Sequence, residues 1–147
     1  MLLAVVLAAL AAGFLWYVGA WRVVFPSTHH DDRQPFLPGD LRDPAVLVFS
    51  KTNQFRHAES IERGNIVIRN IGIARGWDVF STENGAVFNP DQLSRFKAVV
   101  FLNATGDMLS YSQERSFQDW LEAGGGWVGV HAAGDGSHTG WQWYMDN

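Results

Sequence analysis

Ala45-Val46-Leu47-Val48-Phe49-Ser50 follows a proline and runs apolar without a break until Ser50. Such a run reads as a strand buried on both faces, the kind found inside a parallel sheet. Ala98-Val99-Val100-Phe101-Leu102-Asn103 has the same character, and Trp127-Val128-Gly129-Val130-His131 follows a glycine stop at Gly124-Gly125-Gly126. Trp77 to Ser81 reads as a further strand. Helices fill the intervals. Ala58 to Arg75 places Ile61, Ile68, Ile71 and Ala74 at helical spacing, and Gly76 is its expected C-cap. Pro90 to Phe96 suits a short helix with proline near its start, and Ser112 to Ala123 one with Phe117, Trp120 and Leu121 on one side. Strands alternating with helices predict an α/β fold, a doubly wound parallel sheet with helices on both faces. Doubly wound sheets usually have five or six strands, so the domain is expected to be truncated after its fourth.

Working outward, residues 26–44 are broken by Pro26, Pro35, Pro38, Gly39 and Pro44 and are otherwise polar, which predicts a solvated tether. Within it, His29-His30-Asp31-Asp32 offers loose metal ligands, but no rigid element is expected to hold them. Before the tether, Leu2 to Trp21 carries no charged side chain, Trp16, Tyr17 and Trp21 gather near its end, and Arg22 closes it. A helix of about 20 residues spans a bilayer core. Residues 1–25 are therefore expected to be a single-pass transmembrane anchor rather than a cleaved signal peptide, which would carry a basic residue ahead of a shorter apolar run. Arg22, Arg33 and Arg42 lean towards a cytoplasmic domain.

Composition narrows the chemistry. The 147 residues carry a net charge of −4, so nothing basic invites nucleic acid, and the absence of cysteine rules out disulfides, thiol nucleophiles and Cys–zinc sites. In open parallel sheets ligands bind outside the carboxyl ends of the strands. Those ends carry Lys51, Asn53, Arg56 and His57, then Glu83, then Asn103, Thr105 and Asp107, then His131, Asp135 and His138. Gly129-Val130-His131-Ala132-Ala133 has the small neighbours of a nucleophile elbow, with an imidazole at its apex able to act as acid, base or metal ligand. His131, Asp135 and His138 would share one face if a helix followed, yet Gly134, Gly136 and Gly140 argue against one. His131, His57 and Asp107 are the candidate catalytic groups. Lys51, Arg56, Glu83, Asn103, Thr105 and Asp135 are the candidate substrate-binding groups. Each has a structural alternative: His57 as a helix cap, Asp107 in turn chemistry with Gly106, Thr105 bonding its own backbone. Trp141, Trp143 and Tyr144 suit either a sugar face or apolar packing.

Several blocks taken together resemble one family. Val48-Phe49-Ser50-Lys51-Thr52 with Phe55-Arg56-His57, Thr82-Glu83, Val100 to Asn103 with Thr105-Gly106-Asp107, and Gly124 to Ala133 with Asp135 and Trp141 to Tyr144 are similar to the ThuA-like (trehalose utilisation) family. The resemblance runs from about Val46 to the end of the chain. It implies a flavodoxin-like sheet of the class I glutamine amidotransferase-like kind, with His131 where the amidotransferase cysteine would stand, so glutamine hydrolysis is not expected. It implies a role in carbohydrate metabolism, especially of oxidised disaccharides. Asn84 departs from the acid often found there, and Gly134 to Gly140, with its added His138, is unusual. A non-catalytic module binding a carbohydrate or a protein is the rival expectation. A small carbohydrate is the expected ligand. No residue pattern identifies a cofactor or an oligomeric state.

Overall fold

The computed structural model describes all residues, 1–147. Four strands, β1 (Ala45–Phe49), β2 (Asp78–Thr82), β3 (Ala98–Leu102) and β4 (Gly126–Val130), pair in parallel in the order β2-β1-β3-β4. The α/β fold and the parallel sheet thus stand as the apolar runs indicate, with strand limits within a residue of those expected. Side chains alternate between the faces. Val46, Val48, Val100 and Leu102 point to one face and meet Ile68 of α3 (Ala58–Arg75). Leu47, Phe49, Val99 and Phe101 point to the other. There they join Leu93 of α4 (Pro90–Leu93) and Phe117 of α5 (Tyr111–Glu122), with Phe88 closing the larger core.

Local chemistry sets the element ends. Gly76 caps α3 in the left-handed conformation at φ 72°. Asn89 caps α4 by accepting from Gln92 N, ahead of Pro90. Ser110 and Gln113 form a reciprocal capping box that starts α5. On α3, a Cβ at Gly64 would stand 2.7 Å from the Leu102 side chain and one at Gly72 2.5 Å from that of Val79, so these glycines let the helix lie close on the sheet. That seating fixes where the first turn of α3, and the residue before it, stand over the strand ends.

Two N-terminal expectations change. The apolar run does not form one long helix. α1 (Leu2–Tyr17) ends before Gly19, at φ 72°, and α2 (Trp21–Val24) is a separate turn. Sixteen residues rise about 24 Å, and no helix of the chain is long and apolar enough to cross a membrane. The sequence count registers apolar composition; a left-handed glycine interrupts the helix without interrupting that composition. α1 nevertheless has no buried residue.

Residues 26–44, expected to be solvated, lie instead as a strap against the domain. Leu37 and Leu41 pack on the larger core, Asn84 donates to Arg33 O, Gln92 donates to Pro35 O, and Arg42 pairs with Asp78 at 2.7 Å. Polar side chains of the domain satisfy the backbone of a segment that has neither helix nor strand of its own.

Candidate functional site

Chain order places the loops after β1 and β3 side by side, and an isolated parallel bridge between Thr52 and Thr105 ties them. His131 follows β4 directly and takes φ 53°, opening a short 3₁₀ turn over His131–Gly134. Asn103, after β3, takes φ 51°. Both lie in the left-handed region that non-glycine residues rarely adopt, and such strain gathers where a side chain must be aimed. Asn103 N donates to Val130 O, which joins the two turns.

The rim of strand ends divides into an open half and a covered half. In the open half His57, the residue that precedes α3, meets His131 edge to face with ring centroids 4.5 Å apart, and Phe55 backs His57 at 4.8 Å. Neither imidazole hydrogen-bonds to the protein; His57 leaves the helix start without a side-chain cap, and His131 is exposed. Asn103 is fully buried. Its Nδ2 donates to Ser60 Oγ at 2.9 Å, in the first turn of α3, while its Oδ1 has no donor within the protein. A buried acceptor without a partner is uncommon. Beside this group Arg56 holds Glu83 through two nitrogens, at 2.6 and 3.0 Å. An exposed bidentate pair of this kind fixes geometry more than it adds stability.

The covered half is occupied by the strap. Lys51 Nζ donates to Asp31 Oδ2 at 2.5 Å, and Gly85 N donates to the same oxygen at 2.8 Å. Burial pushes the Asp31 carboxyl up, but the Lys51 and Gly85 hydrogen bonds and the nearby positive charge outweigh it and hold the carboxyl below its usual range. His30 Nε2 lies 3.0 Å from Asp107 Oδ1. Asn53 donates to His29 O and to Asp107 O, and Gln113 donates to Asp31 O. Glu114 stands nearby. Burial and then the Asp107 charge push its carboxyl up to about 7, against the pull of His30.

The residues singled out from sequence therefore separate. His131, His57, Arg56 and Glu83 face the open half, and Asn103 lies buried beneath it. Lys51 and Asp107 are engaged by the strap. Thr105 is buried, and its hydroxyl donates to Phe55 O. Asp135 is exposed and accepts from Ser137 N, closing its own turn. His138 is turned inward. At 2 % exposure its Nδ1 faces Gly106 O and its Nε2 Ala132 O. The spacing that would align His131, Asp135 and His138 is lost because the 3₁₀ turn stops at Gly134 and Asp135 is extended. No three His, Asp or Glu side chains stand together so as to hold a metal ion.

Trp141 is buried in the larger core. Trp143 and Tyr144 line an apolar groove of about 320 Å³ with Phe117, Leu121 and Trp127, away from the strand-end residues. Burial, then the Asp135 charge, raises the Tyr144 hydroxyl, which donates to Ala133 O at 2.6 Å. Sequence reasoning missed His30, Asp31, Gln113 and Glu114. The signal for His30 and Asp31 was the His29-His30-Asp31-Asp32 run, whose groups meet Lys51 and Asp107 only once the sheet order brings those loops together, and Gln113 and Glu114 carried none.

Comparison with known proteins agrees with this architecture. The family model of ThuA, described as trehalose utilisation, matches residues 45–146. The chain belongs to the ThuA family. Among solved structures, a ThuA-like protein from Bacteroides uniformis ATCC 8492 superposes with a TM-score of 0.57 at 21% identity, over 78% of this chain and 46% of that one. At that identity the likeness is one of fold, and this chain spans about half the length of its ThuA-like neighbour. No curated protein sequence matches it.

Proposed function

We propose that this ThuA domain acts on a carbohydrate, an oxidised disaccharide or related sugar, with His131 as the acid or base and His57 beside it. The observation that carries the reading is the pair of imidazoles 4.5 Å apart, neither hydrogen-bonded within the protein, at the carboxyl ends of the strands. Asn103, buried beneath the pair, holds the turns around it through Val130 O and Ser60 Oγ. Arg56 and Glu83 extend the polar wall. An imidazole with both ring nitrogens free of protein partners can give or take a proton at a bound substrate. Cysteine is absent, so the amidotransferase type of thiol chemistry has no nucleophile here. Asp107, engaged by His30, is assigned to positioning.

The N-terminal residues carry a second part of the proposal. α1 is apolar on every side and has no buried residue, and an apolar helix of this kind seats the domain on a lipid membrane. Flotation of the full chain with lipid vesicles, set against a chain lacking residues 1–25, tests this; equal flotation of the two removes it.

The test of function is a panel of sugars and 3-keto sugars offered to wild type and His131→Ala, with turnover and binding followed together. Turnover lost with binding retained establishes catalysis centred on His131. Binding without turnover in either protein establishes a recognition module instead.

A further inference from the structure

In an open parallel sheet the ligand crevice lies where the strand order reverses. In the order β2-β1-β3-β4 that point falls between the ends of β1 and β3. Strap residues His29 to Asp31 lie across it. His29 O takes the amide of Asn53 beyond β1, His30 meets Asp107 beyond β3, and Asp31 meets Lys51 at the end of β1. The receiving groups belong to the α/β domain, whereas the strap donor of the carboxylate has neither helix nor strand behind it. Lys51 is 7 % exposed and Asp31 is the carboxylate paired with it. A buried ammonium at a ligand crevice needs an anion, and here the chain supplies one.

We propose that Lys51 Nζ and Gly85 N–H form a carboxylate-binding site in this crevice, that Asp31 fills it in the resting chain, and that a ligand carboxylate takes the same two donors when residues 29–31 lift away. The amides of Asn53 and Gln113, released from His29 O and Asp31 O, then face the rest of the ligand. Two amide donors beside a carboxylate clasp suit a small hydroxylated acid, a sugar acid by class. This last step deepens the carbohydrate reading and rests on it; carboxylate binding at Lys51 is independent of turnover at His131.

The experiment uses the full chain in detergent, titrated calorimetrically with acetate at constant ionic strength. Asp31→Ala is expected to bind acetate about tenfold or more tightly than wild type, the worth of one hydrogen bond to a charged group. The double variant Asp31→Ala with Lys51→Met is expected to lose that gain. Folded Asp31→Ala that binds acetate no better than wild type, or a double variant that keeps the gain, overturns the site and leaves the strap a structural clasp. Asp31→Ser, whose short side chain also vacates the two donors, carries the same comparison if Asp31→Ala does not fold. Glucuronate that binds Asp31→Ala no more tightly than acetate overturns the sugar-acid assignment. None of these readings uses turnover, so a failed sugar panel and a failed acetate titration are told apart.

Discussion

The two halves of the strand-end rim are made of similar residues and are held in opposite ways. The imidazoles of His57 and His131 touch each other and make no hydrogen bond within the protein, whereas Lys51, Asn53 and Asp107 are each engaged by a neighbour from the strap or its surroundings. Position on the fold made all of them candidates. What separates them is whether the chain itself completes their bonding. Groups left uncompleted are available for chemistry, and groups completed internally contribute first to stability.

Substitutions on either side test that division. The largest expected effect is His131→Ala in the open half, with turnover lowered about 10²- to 10⁴-fold, the range of general acid–base catalysis. Circular dichroism should show the fold intact. Asp107→Asn in the covered half should cost far less turnover, and an equal loss would erase the distinction.

Next comes Asp31→Ala, which leaves the buried Lys51 ammonium unpaired. Breaking a buried pair costs about 3 kcal/mol at the lower end of its range, appropriate because Asp31 is partly exposed. Urea unfolding measures it, and His57→Ala should move the midpoint much less. The sign with pH follows from the Asp31 carboxyl being held low. Its contribution is complete above the ordinary 3.8 and disappears as the medium is acidified through its depressed value.

Glu114 works in the other direction. Its carboxyl is raised from 4.5 to about 7, so the folded chain holds that proton more tightly than the unfolded chain. Stability from this group is full below 4.5 and falls as pH rises to about 7. Discounted for its partial exposure, the loss is about 1–2 kcal/mol. Unfolding followed across that window, with Glu114→Gln flattening the slope, checks it. The smallest effect belongs to Arg56→Ala. Its exposed pair with Glu83 is worth about 0–1 kcal/mol of stability, so a larger change in sugar binding than in stability would place Arg56 at the ligand.

Much of this architecture is legible in the residues alone. Ala45–Phe49 and Ala98–Leu102 are apolar at every position, as strands covered on both faces must be, and Gly76 and Pro90 mark helix ends by backbone chemistry that is local. The place of His131 was legible for the same reason, since a strand end followed by Ala132-Ala133 announces its own turn. The strap was not. Nothing within residues 26–44 forecasts docking on the domain; its bonds reach 20 to 82 positions along the chain, to Lys51, Gly85 and Gln113. The N-terminal helix misled for the converse reason. Composition is additive along a chain, but a helix ends at one residue, here beside Gly19.

The left-handed turns at Asn103 and His131 bear on how any mutational survey of this domain is read. At φ 51° and 53°, alanine keeps the Cβ and with it the backbone strain that these positions already carry. Glycine relieves that strain, so a pair of substitutions to alanine and to glycine at each position separates what the side chain does from what the backbone costs, by about 1 kcal/mol. At His131 the alanine variant, with the same Cβ and no imidazole, is the baseline for the worth of that ring, and the glycine variant then measures the cost of the turn.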